Sequence, residues 1–283
     1  MKDHTQNPKS IKYHVKKYLH KNKNRFEGKT IVDFPSGNGT SSEILKDIGA
    51  QPMPYDLFPE YFKVEGLICS RANINEGIPI LDNAVDGVLC QEGIEHFTDQ
   101  ALAFKEFGRI IKKGGSLIIT TPNYSNLRAK MSYLLTESER YHSIISPNEL
   151  DSIWMNRQDI TNEFYYGHIF LIGIQKLRVL AKLNGFRIKH IQKTITRNSN
   201  LILFPFLYPF ILLSNWITYR KALRKNKRVP MTTKKEVYKE IMKLNTHLTV
   251  LLDGHLFIEF EKETERKDVA QAIGSMHQEF GAT

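Results

Sequence analysis

Apolar and polar positions along this chain alternate between two periods. Short apolar runs fall at Thr30 to Phe34, Gln51 to Tyr55, Gly66 to Cys69, Val85 to Cys90 and Ser116 to Thr121, and each reads as a strand. Between them, Ser41 to Ile48 and Ala101 to Ile111 repeat apolar residues at helical spacing. Strand and helix in alternation specify a parallel sheet covered on both faces. Upstream, Ile11 to Phe26 spaces Tyr13, Val15, Tyr18 and Leu19 for a helix over one edge of the core, its Lys- and His-rich remainder read as a solvated face, with a dedicated anion site as the alternative. Lys112-Lys-Gly-Gly115 predicts a helix end, with basic residues in the last turn and a glycine stop. Downstream, His168 to Phe186 predicts an amphipathic helix with a glycine stop, followed by a strand at Phe186 to Ile191. Gly254 to Lys262 predicts the last strand, and the polar tail from Glu263 predicts a loosely held end.

The pattern breaks once, in the roughly sixty residues between those last two strands. Leu201 to Tyr219 carries no charge, and its length approaches the ~20 residues that a spanning helix needs. Pro205 and Pro209 argue against a straight spanning helix, and a span would also separate the last strand from its sheet. Arg220, Lys221, Arg224, Lys225, Lys227 and Arg228 follow, with Trp216 and Tyr219 at the boundary. Aromatic residues beside a basic cluster suit an anionic membrane surface, so a monotopic or re-entrant anchor is the leading reading. A lid over a substrate pocket and a homodimer interface are the alternatives.

Composition narrows the partners without choosing one. A formal charge of +10 and a pI near 9.4 point to an anionic partner, whether nucleic acid, acidic lipid or a phosphorylated substrate. Cys69 and Cys90 each end an apolar run, which reads as buried thiols in a reduced, cytosolic protein. Met1 to Asn7 is polar, so no secretory signal is expected there. The 283 residues suffice for one sizeable α/β core with an appendage.

The densest chemistry lies in Ile31-Val-Asp-Phe-Pro-Ser-Gly-Asn-Gly-Thr40, where an apolar strand runs into Asp33 and a glycine turn before a helix. Glycine takes positive φ cheaply and lets the backbone approach a ligand, so Gly37 and Gly39 suggest a chain passing hard against a bound molecule. The spacing is neither that of a dinucleotide site nor that of a phosphate loop, and no lysine follows Gly39. Tyr55-Asp56-Leu57 closes the next apolar run, where a carboxylate can accept both hydroxyls of a ribose.

Together with Asn75 to Cys90, Gln91-Glu-Gly-Ile-Glu-His-Phe97 and Phe107 to Asn123, that turn closely resembles the class I S-adenosylmethionine (SAM)-dependent methyltransferases, particularly those acting on small molecules, lipids and sugars. The resemblance is dense from Lys29 to Asn123. It implies an α/β, Rossmann-like, seven-stranded, mostly parallel sheet of order 3-2-1-4-5-7-6, with helices on both faces and an apolar insertion before the last strand. The expected organisation is a basic helical segment at 1–28 and a methyltransferase core at 29–195 with a substrate-roofing insertion at 124–167. An apolar and basic insertion at 196–253, the last core strand at 254–262 and a polar tail at 263–283 complete it.

The resemblance also assigns roles. Asp33 and the turn Ser36, Gly37, Asn38 and Gly39, with Phe34 beside it, would hold the methionine portion of SAM. Asp56 would take the ribose hydroxyls, Leu57 one adenine face, Asn73 the adenine amino group with Ile74 adjacent, and Gln91 the cofactor side of the pocket. Phe34-Pro35-Ser36 departs from the family's usual third-position glycine, and Asn73 stands where an aspartate is frequent. Glu92, Tyr165 and Tyr166 would contact the acceptor, and His96 and His168 are the candidate general bases, with His142 and Tyr141 weaker. The scattered histidines and cysteines lack metal-site spacing, so no metal is expected. The expected reaction is methyl transfer to an O or N acceptor, a small molecule or a lipid-linked or polysaccharide sugar at the inner face of the cytoplasmic membrane. Thr121-Pro-Asn123 stands where base-modifying enzymes carry another motif, which argues against nucleic acid. A soluble small-molecule enzyme and a non-catalytic SAM-binding subunit are the alternatives.

Overall fold

The computed structural model describes residues 4–138, 145–156, 164–225 and 229–277. The chain opens with α1 (Ile11–Lys21) and α2 (Lys23–Phe26), then runs β1 (Thr30–Asp33), α3 (Thr40–Asp47), β2 (Gln51–Asp56), β3 (Ser70–Arg71), β4 (Val85–Gln91), α4 (Gln100–Ile110) and β5 (Ile111–Pro122). After α5 (Leu127–Thr136) come β6 (Ile153–Asn156) and β7 (Phe164–Tyr166), which pair as a separate hairpin. The chain closes with α6 (Ile174–Leu183), β8 (Phe186–Ile191), α7 (Asn198–Arg224), α8 (Met231–Asn245), α9 (Leu248–Leu252), β9 (His255–Lys262) and α10 (Arg266–His277).

The sheet has seven strands in the order β3-β2-β1-β4-β5-β9-β8. With the hairpin set aside this is the expected 3-2-1-4-5-7-6, and only β9 is antiparallel to its neighbours. Alternate strand residues feed two cores, as the two-residue period of a strand requires. Ile31, Leu89, Ile118 and Phe257 face Val15 and Leu19 of α1 and Ile44 and Leu45 of α3. Val32, Val88, Leu117 and Ile258 face Phe104 and Phe107 of α4 and Leu177 of α6. α1 is tied to the far side of the sheet through buried Glu259 on β9, which accepts from the Tyr18 hydroxyl at 2.5 Å and pairs with Arg25. Tyr13 is only partly buried, and Ile11 takes its expected place in the core.

Several boundaries depart from expectation. Gly66 to Cys69 is not a strand; the edge strand forms one step later at Ser70–Arg71, pairing only with Tyr55 and Asp56. Lys112 to Gly115 does not end a helix, because α4 stops at Ile110 and these residues form a bulge within β5 between the pairs Val85–Ile111 and Gly87–Ser116. Gly114 at φ +80° turns the bulge, and a Cβ at Gly115 would lie 2.7 Å from the Asp86 carbonyl oxygen. α6 starts at Ile174 rather than near His168, capped by Gly173, while Gly185 at φ +82° supplies the expected stop. Cys69 is half-buried, with its Sγ 3.2 Å from the Ser36 hydroxyl, and Cys90 is fully buried. The tail from Glu263 forms α10, held to the body where Arg266 donates to Asn184 at 2.9 Å.

α7 is an unbroken helix of 27 residues that passes through both Pro205 and Pro209. It is long and apolar enough to cross a membrane.

Candidate active site

The carboxyl ends of β1, β2 and β4 open onto one cleft of about 1070 Å³. The turn after β1 is hooked to both neighbouring strands: Phe34 N–H donates to the Leu89 carbonyl at 3.0 Å and Ser36 N–H to that of Tyr55 at 2.9 Å. Gly37 and Gly39 take φ of +51° and +88°, and a Cβ on Gly39 would lie 2.4 Å from a Val64 methyl. Pro35, which departs from the family pattern, packs against Gly93. It fills the space beside Gly93, where any Cβ would lie 2.2 Å from the proline ring.

Asp56 holds the turn and β2 together. One carboxylate oxygen accepts from Gly37 N–H at 2.7 Å and the other from Phe58 N–H at 2.8 Å. Both oxygens keep a second lone pair on the cleft side, so ribose hydroxyls have acceptors there. Leu57, Phe58 and Ile74 form an apolar slot beside it. Asn73 also lines the cleft, its Oδ1 accepting from Asn75 N–H at 3.1 Å and its amide donating to Glu76 at 2.9 Å. Gln91 is oriented by the Ser41 hydroxyl, which donates to it at 2.9 Å. Phe34, Ser36, Gly37 and Asn38 complete this wall.

Asp33 and Gly39 do not line the cleft. Asp33 is fully buried behind the turn, where it accepts from the Ser42 hydroxyl at 2.6 Å. Burial, with the Asp56 charge nearby, pushes its carboxyl up to about 7. Asp33 therefore supports the turn rather than the ligand.

Glu92, His96, Tyr165 and Tyr166 also line the cleft. Glu92 takes φ of +50°, a left-handed backbone uncommon for a side chain of this size, and its carboxylate lies 3.4 Å from His255 on β9. His96 Nδ1 lies 3.0 Å from the Tyr166 carbonyl, which only accepts, so Nδ1 carries the proton and Nε2 the lone pair. The segment bearing these tyrosines is fastened by Gln100, which donates to the Phe170 carbonyl at 2.6 Å and to that of Ile94 at 3.0 Å. Phe58 of the apolar slot meets Tyr165 edge-on at 4.8 Å between ring centres.

His168 is exposed and does not line the cleft, but its ring centre lies 5.5 Å from that of His96. Glu95, His96 and His168 each bring one donor atom within 4.8 Å of the others, a convergence that their sequence spacing does not reveal. Burial and the nearby Glu92 charge push the Glu95 carboxyl well above the usual carboxylate range, and the Thr121 hydroxyl donates to it at 3.0 Å. His142 and Tyr141 lie outside the described residues.

The sequence reading missed Lys12, Phe58, Tyr61, Phe97 and Thr98 on the cleft wall. Lys12 belongs to α1, whose charges read as a solvated face, and nothing in the sequence separates it from Lys16 or Lys17. Among the described lining residues it is the only lysine or arginine. That fits SAM, which carries one carboxylate and no phosphate. The volume, the apolar slot beside Asp56 and the glycine turn fit its adenosyl and methionyl parts.

Comparison with known proteins agrees with this geometry. A family profile described as a methyltransferase domain matches residues 7–191. A ubiquinone biosynthesis O-methyltransferase from Xanthomonas oryzae pv. oryzae is 25% identical over 161 residues, covering 50% of this chain and 67% of that protein. One of the same description from Xanthomonas campestris pv. campestris is 24% identical over the same length. The crystal structure of a SAM-dependent methyltransferase from Archaeoglobus fulgidus shares the fold with a TM-score of 0.50 at 15% identity, covering 88% of this chain and 94% of that one. The chain belongs to the methyltransferase-domain family and is a class I SAM-dependent methyltransferase.

Proposed function

We propose that this enzyme methylates an oxygen or nitrogen of a membrane-associated acceptor, a lipid-linked or polysaccharide sugar. The observation that carries the reading is the set of cleft-lining side chains Glu92, His96, Tyr165 and Tyr166, with His96 Nδ1 3.0 Å from the Tyr166 carbonyl. Aromatic faces suit the C–H faces of a sugar ring, and a carboxylate accepts from its hydroxyls. The exposed apolar helix α7 supports an acceptor held at a membrane.

SAM supplies an activated methyl group on a sulfonium. The chain's residues align and desolvate the reactants. The glycine turn would hold the methionyl part of SAM and Asp56 its ribose, with Phe58 packed edge-on against Tyr165 beside them. The Tyr166 carbonyl fixes the tautomer of His96, which would make its imidazole the base for an acceptor hydroxyl as the O–C bond forms and the sulfonium S–C bond breaks to release a neutral thioether.

The test is transfer of radiolabelled methyl from SAM into host-cell extract separated into lipid and aqueous fractions, with Asp56→Ala as the control. Label in the lipid fraction that disappears with the variant is the expected result. Label confined to the aqueous fraction overturns the membrane acceptor.

A further inference from the structure

α7 is apolar on two sides, and the protein covers only one. The less exposed positions Asn200, Phe204, Leu207, Ile211 and Asn215 recur every three or four residues and mark the face turned to the body. The opposite face carries Ile202, Phe206, Phe210, Leu213, Trp216 and Ile217, with Phe206 69% and Phe210 72% exposed. A helix apolar all round belongs in an apolar medium on every side, and here the outer side has none.

We propose that α7 is an in-plane membrane anchor that sinks this outer face into the surface of an anionic bilayer. Charge selects the occupant. α7 contains no Asp or Glu, and exposed Arg220, Lys221 and Arg224 gather at its carboxyl end, with Lys225 directly after it. The Arg220 guanidinium sits 5.5 Å from the centre of the Trp216 ring, an aromatic and a cation together at the boundary where headgroups lie. On the neighbouring α8, Lys235, Lys239 and Lys243 repeat every four residues as a second exposed row of cations.

Three tethers make the helix lie on the membrane rather than cross it. The Asn200 side chain accepts from Arg128 N–H at 2.7 Å and donates to the Leu252 carbonyl at 2.8 Å. Asn245 donates to Asn215 at 2.8 Å and itself accepts from Gln175 of α6 at 2.8 Å. The buried Lys234 ammonium donates to the carbonyls of Leu223 and Lys225 at 3.2 and 2.9 Å, closing the end of the helix. A spanning arrangement would break all three, and β9 returns to the same sheet immediately afterwards. The first tether also locates the anchor. Leu252 lies three residues before His255, the first residue of β9, which pairs with Pro122 at the carboxyl end of β5, so α7 is rooted at the end of the sheet that carries the cleft. Docking brings that end to the bilayer, whatever the acceptor.

Flotation of the whole chain with vesicles of phosphatidylcholine alone, or mixed with phosphatidylglycerol, tests this without SAM or turnover. Binding to the mixed vesicles about tenfold or more above binding to the neutral ones, weakening as salt is raised, is expected. The double variant Phe206→Glu with Phe210→Glu should lose that binding while keeping wild-type SAM affinity, which certifies its fold. Equal or absent binding to both vesicles overturns the proposal. So does a solution dimer that the double variant converts to monomer without any vesicle binding, which would make this face an interface between copies. Because no methyl transfer is read, failure here leaves the acceptor reading standing, and an aqueous acceptor leaves the anchor standing.

Discussion

His96 and Lys12 carry the sharpest expectations for single side chains. If His96 Nε2 takes the acceptor proton, His96→Ala lowers kcat by roughly 10²–10⁴ and removes the limb of the pH–rate profile that reports the base, with SAM affinity unchanged. A loss of SAM binding of the same size would make His96 a cofactor contact instead. Lys12 is the cation available on the described cleft wall for a carboxylate. A charge-assisted hydrogen bond of about 1.5–3 kcal/mol makes Lys12→Ala about ten- to a hundredfold weaker for SAM by calorimetry, with reduced salt dependence. An unchanged dissociation constant would place Lys12 outside the cofactor site. The two residues differ in legibility: His96 sits inside a recognisable run, whereas Lys12 is one of several lysines in α1 and only helix packing brings it to the cleft.

Turns and bulges decide how the elements meet, and two glycines of similar φ separate conformation from space. Gly39 at φ +88° has a Val64 methyl 2.4 Å and a Phe62 ring carbon 2.7 Å from any added Cβ, whereas Gly114 at φ +80° faces open space. Both alanine variants meet the backbone penalty of about 1 kcal/mol, but Gly39→Ala adds overpacking of roughly 1–3 kcal/mol and displaces the turn. Chemical denaturation should show the larger loss for Gly39→Ala, and SAM affinity should fall only there. Equal losses would mean that the wall formed by Phe62 and Val64 yields. The glycine turn was legible from spacing, but the bulge at Lys112 to Gly115 was not. Basic residues followed by glycine are chemically the same signal at a helix end and in a strand bulge, and only the pairing of Ile111 with Val85 distinguishes them.

For the molecule as a whole, buried Asp33 links stability to pH. Its carboxyl titrates at about 7 in the folded chain and near 4 when unfolded, so between those values the folded state holds a proton that the unfolded state has lost. Its contribution is full below about pH 4 and is lost as pH rises through about 7, a change of up to roughly 4 kcal/mol. Asp33→Asn removes this dependence. The stability of the variant relative to wild type should therefore rise by up to about that amount between pH 4 and pH 8 in the absence of ligand, measured by urea unfolding. A constant difference across that range would show that Asp33 ionises freely in the folded protein.

The strands, the glycine turn and Asp56 follow from local signals, because strand period, turn chemistry and short-range spacing are written within a few residues of one another, whereas the order of the strands came only from the family resemblance. The uncharged run from Leu201 to Tyr219 likewise announces an unusual element without reference to any neighbour. Long-range packing settles the rest. It retires Asp33 behind the turn, brings Lys12 from α1 and Tyr165 and Tyr166 from the hairpin to one cleft, and gathers Glu95, His96 and His168. It also determines that α7 turns one apolar face to the body and the other outward, since periodicity cannot assign a partner to a helix that is apolar on every side.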